Sequence, residues 1–251
     1  MTSAAIRFQD VTVAYDRHPA LHHLTGSFDP GSLTAIAGPN GAGKSTLLRA
    51  LMGELAPVTG RIERGGLALR DLGYLPQAAA IERGFPITVA DTVILGGWRR
   101  IGSFRGVTRA LRRRAAEALE AVGLEGFDAR PVSALSAGQF QRVLFARLLV
   151  QDAPVIVLDE PFTAIDARTT RDLLDIVTRW HGEGRTVIAV LHDFDQVRAH
   201  FPQTLLLARD LIGWGPTRDT LTPANLRRAR AMAEAWDESA AICDIPPETR
   251  S

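Results

Sequence analysis

The stretch Gly38-Pro39-Asn40-Gly41-Ala42-Gly43-Lys44-Ser45 constrains this chain more than any other. It fits G-x-x-x-x-G-K-[ST], with a run of strand character before it (32–37) and helical spacing after it, leucines falling at 47, 48, 51 and 55. A strand, a glycine-rich loop and a helix in that order make a phosphate cradle. The glycines let the backbone wrap around oxygens and point N–H groups inward. The helix start adds its positive dipole end. Lys44 supplies a compact ammonium that reaches between phosphates, the Ser45 hydroxyl is placed to ligate Mg²⁺, and Thr46 follows it into the helix. Of 29 cationic side chains only Lys44 is a lysine. Arginine's broad planar fork does not fit a tight phosphate nest, so an arginine-biased chain keeps its lysine here.

A second stretch carries complementary chemistry. Residues 155–158 are an apolar run that ends in Asp159-Glu160. A buried strand explains the apolar part but not two acids at its carboxyl end, which is where open α/β sheets place ligands. Asp159 is assigned to the Mg²⁺ and Glu160 to the base that polarises an attacking water.

The remaining pattern is an α/β core interrupted by a helical insert at about 78–151. Ile6–Tyr15 alternates with a slip near Asp10; 24–28 reads as strand, and Asp29-Pro30-Gly31 as a turn. Short strands are expected at 61–62 and 73–76. Helices are expected from Thr88 or Asp91 to Leu95, over 108–122 and over 136–149. Strand and helix then alternate: helix 169–181, strand 186–191, helix 194–200, strand 205–208, and a last helix at 225–235. No internal repeat is present, and the reading is one domain over 1–251.

Composition excludes several classes. A formal net charge of +1 gives no bulk attraction to nucleic acid, and none is expected as a partner. Apolar runs such as 187–191 fall far short of the ~20 residues of a membrane span. The first ten residues lack the pattern of a signal peptide. One cysteine, Cys243, excludes an intramolecular disulfide and suits a reducing cytosol. His22 and His23 are adjacent in an expected strand, so their side chains should point to opposite faces. Neither they nor His200 and Cys243 have metal-ligand spacing.

Leu135-Ser136-Ala137-Gly138-Gln139 resembles the signature motif of ABC ATPases, with alanine in place of its first glycine. Further marks follow in the family's order, over roughly 6–208. The resemblance implies a P-loop NTPase (RecA-like) core with an antiparallel β subdomain and an inserted α-helical subdomain. It implies ATP and Mg²⁺ as ligands and a head-to-tail homodimer in which Ser136, Ala137, Gly138 and Gln139 close over ATP held by the opposite P-loop. Tyr15 then stacks on adenine. Gln77 senses the γ-phosphate and joins Ser45 and Asp159 at the cation. Asp166 contacts the other subunit and its ATP, and His192 is the switch histidine. Lys44, Gln77, Glu160 and His192 form the implied catalytic set.

Transport is favoured over other uses of the domain. Only about 90 residues separate Lys44 from Leu135, with no sustained heptads such as chromosome-maintenance members carry, and one domain is present where translation-type members have two. The resemblance points to the ATPase of an importer, peripheral at the cytoplasmic face of the membrane. Its partners would be integral permease subunits and, indirectly, a periplasmic or extracellular substrate-binding protein. Residues 84–96 and 221–226 resemble the zinc and manganese importer group, zinc being favoured. A siderophore or haem importer, or a non-transport ABC ATPase, is the alternative. The basic run Arg99, Arg100, Arg105, Arg109, Arg112, Arg113 and Arg114 reads as a solvated helix face balanced by Glu117 and Glu120, with contact to anionic lipid as the weaker reading.

Overall fold

The computed structural model describes residues 5–15, 18–78, 81–98 and 106–234. Arg99, Arg100, Arg105 and Cys243 lie outside them. Two sheets organise the described residues. A three-stranded antiparallel sheet has the order β2 (His18–Phe28), β1 (Ile6–Tyr15), β4 (Thr59–Glu63). A six-stranded sheet runs β5 (Leu72–Leu75), β6 (Val155–Asp159), β7 (Thr186–Val190), β3 (Leu33–Ala37), β8 (Gln203–Ala208), β9 (Asp210–Pro216), parallel except for β9 against β8.

Strands β3, β6 and β7 are buried at every residue, which is why they read as unbroken apolar runs. Their side chains still divide by parity. Ile36, Val157, Ile188, Val190, Leu205 and Leu207 pack with the antiparallel sheet and α1 (Lys44–Leu51). Ala35, Ile156, Leu158, Ala189 and Leu206 pack on the other side, among the helices. Between β5 and β6 the chain forms α2 (Val89–Ile94), α3 (Arg109–Ala121) and α4 (Ala137–Gln151). Thr88 caps α2 and Thr108 caps α3, each accepting a backbone N–H three residues on. After β6 come α5 (Ala167–Gly182), then α6 (Phe194–His200) beyond β7, and finally α7 (Thr217–Thr220) and α8 (Pro223–Glu234). Phe145 of α4 stacks on Trp180 of α5 at 5.7 Å, fixing the insert's longest helix to the core.

Three local readings need correction. β2 begins at His18 rather than near 24, because its first half pairs with the end of β1 despite Pro19 and two histidines. His22 and His23 do not diverge. His23 has φ 46, a left-handed residue that breaks the strand's alternation and brings the two rings to 4.3 Å, with His23 Nδ1 2.6 Å from Asp10 Oδ1. Asp10, at the slip in β1, is likewise left-handed. Third, Arg114 is not simply solvated: it pairs with Asp152 at 3.3 Å, while Arg113 makes the helix-surface pair with Glu117.

Candidate active site

The loop 38–43 leaves β3 at its carboxyl end and turns directly into α1. Two glycines there are steric necessities. A Cβ on Gly38 would lie 2.0 Å from the Leu207 carbonyl oxygen, and one on Gly43 (φ 88) 2.2 Å from that of Ala20. The loop is thus clamped between β8 and the β1–β2 hairpin. Gly43 is the N-cap of α1 and supplies no side-chain acceptor, which leaves the first N–H groups of that helix available to an anion. Pro39, Asn40 and Gly41 form the loop's outer wall and, with the buried Ala42, line a small crevice shared with Met232 and Ala233 of α8.

Lys44 is only 6% exposed, and its ammonium donates to the carbonyls of Gly38 at 2.9 Å and Pro39 at 2.8 Å. Burial lowers its pKa, against the attraction of the Glu160 and Asp159 carboxylates. Ser45 Oγ donates to Asp159 Oδ1 at 3.3 Å, joining α1 to the end of β6. Burial raises the Asp159 carboxyl above the ordinary range, with the Ser45 hydrogen bond opposing and the Glu160 carboxylate adding to the rise. Thr46 is buried one residue further into α1.

Glu160 follows Asp159 in a left-handed conformation, φ 50. Its carboxylate is held from three directions: Gln77 Nε2 donates to Oε2 at 3.0 Å, Thr163 Oγ1 donates to Oε2 at 3.3 Å, and His192 Nε2 lies 2.5 Å from Oε1. Residues far apart in sequence, 77, 160 and 192, therefore meet at one carboxylate beside the phosphate loop. Gln77 spends its amide on Glu160 here and makes no bond to Ser45 or Asp159.

Ser136 caps α4: its hydroxyl accepts from Gln139 N at 3.2 Å while Gln139 Oε1 accepts from Ser136 N at 3.0 Å. Ala137 opens the helix, and Gly138 stands beside Thr169 and Asp166. Asp166 caps α5, accepting from Thr169 N at 2.9 Å and Thr169 Oγ1 at 2.8 Å; these bonds, the backbone one first, hold its carboxyl below the ordinary value. Residues 136–139 are thus not brought together with 38–46. No hydrogen bond joins the two segments among the described residues; α4 covers the β5 edge, where Arg147 donates to the Tyr74 carbonyl. Tyr15 ends β1 with its ring 40% exposed and its hydroxyl accepting from Arg49 Nη1 at 3.1 Å.

The site also contains residues with no sequence signal. Thr163, Gln141, Arg142 and Arg83 are ordinary polar residues whose partners only the fold supplies. No cluster of three or more metal-ligating side chains occurs among the described residues. Two oxygens, from Ser45 and Asp159, fit a cation whose other ligands come from phosphate and water, the usual arrangement for Mg²⁺.

Comparison with known proteins shows the family. The ABC transporter family model matches residues 21–163. The chain is 38% identical over 232 residues to the zinc transport system ATP-binding protein of Treponema pallidum, covering 91% of this chain and 87% of that protein. It is 36% identical over 228 residues to the manganese transport system ATP-binding protein of Synechocystis, covering 88% of each. An ABC transporter solved in an inward-facing conformation superposes with a TM-score of 0.80 at 30% identity, covering 90% of this chain and 89% of that one. The chain belongs to the ABC transporter family, as its ATP-binding and ATP-hydrolysing component.

Proposed function

We propose that this chain powers import of a divalent transition-metal ion, working as a head-to-tail homodimer on permease subunits at the cytoplasmic face of the membrane. The observation that carries the dimer is the separation just described. A complete phosphate loop and a helix-opening serine motif occur in one chain, yet the serine motif bonds to its own helix and makes no hydrogen bond to the loop. A second copy turned end for end would bring each motif to the other's loop. The metal cargo is supported by relatives named for zinc and for manganese, each aligned over most of its length. Residues 84–96 resemble the zinc and manganese importer group as a whole, and the relatives' names include both metals, manganese more often than zinc. No helix of the described residues is long and apolar enough to cross a membrane.

In the mechanism this geometry supports, ATP lies along the loop with its adenine against Tyr15 and its phosphates over the start of α1. Lys44 exchanges its two carbonyl acceptors for phosphate oxygens. A Mg²⁺ ion held by Ser45 and Asp159 would offset the charge that builds on the β–γ bridge. Glu160 accepts a proton from water as the water oxygen bonds to γ-phosphorus and the bond to the bridging oxygen breaks, releasing ADP and phosphate. His192 and Gln77 hold the carboxylate for that transfer. Contacts made to the γ-phosphate only in the closed dimer give the differential affinity that drives closure, and hydrolysis removes them.

Growth of a strain deleted for this gene decides the cargo. Under zinc limitation the deletion should grow poorly and zinc should restore it. Rescue by manganese alone would move the cargo to manganese, and rescue by neither metal would overturn metal import while leaving the ATPase untouched.

A further inference from the structure

The first turns of α4 are held by several neighbours, while Ser136 and Ala137 stay exposed. Ser136 and Gln139 cap each other. The Arg83 guanidinium lies 4.7 Å over the Phe140 ring and donates to the Leu135 carbonyl. Gln141 Nε2 donates to the Pro161 carbonyl at 2.7 Å. Arg142 donates to the Val122 carbonyl at 2.8 Å and pairs with Asp172 at 2.6 Å. Successive helical residues are turned by about 100°, so outside partners on 140–142 cover about 200° of the helix and oppose its rotation.

The Gln141 bond reaches the chemistry. Gln141 is 1% exposed, and its acceptor belongs to the residue directly after Glu160. A non-glycine residue with φ 50 keeps that conformation only where its surroundings over-determine it. Before Glu160, the pairing of Asp159 with Val190 fixes the backbone. After it, the turn from Glu160 O to Thr163 N is a long 3.3 Å, and Pro161 has no N–H to anchor. The Pro161 carbonyl is the one backbone polar group of that residue, and Gln141 takes it.

We propose that Gln141 is a positioning residue for hydrolysis: it pins the Glu160–Pro161 backbone and so aims the Glu160 carboxylate between Gln77 and His192. Glutamine suits the task. Its amide reaches a carbonyl from a helix one layer away and brings no charge, whereas lysine or arginine there would set a cation close to Glu160 and draw the carboxylate off its place. The inference rests on Glu160 being the base.

The test uses the purified full chain carrying Gln141→Met or Gln141→Glu, both close to glutamine in size. The methionine donates nothing, and the ionised glutamate sets an acceptor against the Pro161 carbonyl. kcat for ATP hydrolysis should fall at least about tenfold in Q141M and further in Q141E. KM and the affinity for a fluorescent ATP analogue should stay within about twofold, because the phosphate loop is held by β3, β8 and the β1–β2 hairpin. Unchanged kcat in both variants, joint loss of kcat and ATP affinity, or loss of fold in both would overturn the proposal. Glu160→Gln run alongside separates the two readings. If it retains turnover, the assignment of Glu160 falls; if it abolishes turnover while Q141M does not, only the role of Gln141 falls.

Discussion

Replacing Lys44 with methionine should separate two quantities that usually fall together, fold stability and nucleotide affinity. The ammonium is almost fully buried, and burial outweighs the pull of Glu160 and Asp159 in setting its pKa below the ordinary value. Holding the charge there therefore costs folding free energy without phosphate to receive it. Methionine keeps the aliphatic stem and removes that cost. It also removes the donor to two carbonyls, a loss of about 1–3 kcal/mol for each that stays dry, but Pro39 is half-buried and water can replace the donor there. These opposed effects should leave the nucleotide-free variant within about 1 kcal/mol of wild type, roughly 2–4 °C in Tm. ATP affinity should fall about 100-fold, the worth of about 3 kcal/mol of charge-assisted phosphate contact. Thermal melting and fluorescent-ATP titration on the same samples measure both. The sign of the pH effect is fixed as well. With the folded pKa below 10.5, the unfolded chain binds more protons in the alkaline window between the two, so wild-type stability gains there as pH rises, and K44M lacks that gain. A nucleotide-free destabilisation of about 3 kcal/mol, with ATP affinity kept, would refute the reasoning and make Lys44 a structural residue.

Two further substitutions probe other parts of the frame. Asp159→Asn should abolish Mg²⁺-dependent hydrolysis yet raise the Tm of the nucleotide-free protein at neutral pH. The folded carboxyl is raised above its ordinary value, so the native state binds more protons in the window just above 3.8 and loses stability as pH rises through it; the advantage of asparagine should therefore vanish in acid, and melting curves from acid to neutral pH check it. Arg142→Ala removes an Asp172 pair and a carbonyl bond from a side chain 16% exposed. It should cost about 2–3 kcal/mol, roughly 5–10 °C in Tm, with differential scanning calorimetry as the check.

What the sequence disclosed and what it hid follow from physics. Phosphate binding demands particular residue types at fixed spacing, so 38–45 is visible without a structure, as are the acids ending β6. Strands buried on both faces advertise themselves as apolar runs. β9 does not: Gly213 and Gly215 flank Trp214, and the strand exists because Trp214 packs over Gly26 and against Phe28 at 4.7 Å. The contact between His22 and His23 was hidden because one left-handed residue defeats strand alternation. Gln141 and Arg142 were hidden because helix-surface polar residues look alike until tertiary packing assigns their partners. The motif marks at 77, 160 and 192 could be named one by one, but only the fold brings them to a single carboxylate.

In the proposed dimer, Ser136 of one chain closes over ATP held by the phosphate loop of another. Size-exclusion chromatography of Glu160→Gln, with and without ATP, tests it most directly when repeated with Ser136→Arg added. The single variant should form an ATP-dependent dimer, and the double variant should stay a monomer that still binds ATP. A dimer that persists in the double variant, or a single variant that stays monomeric with saturating ATP, would contradict it.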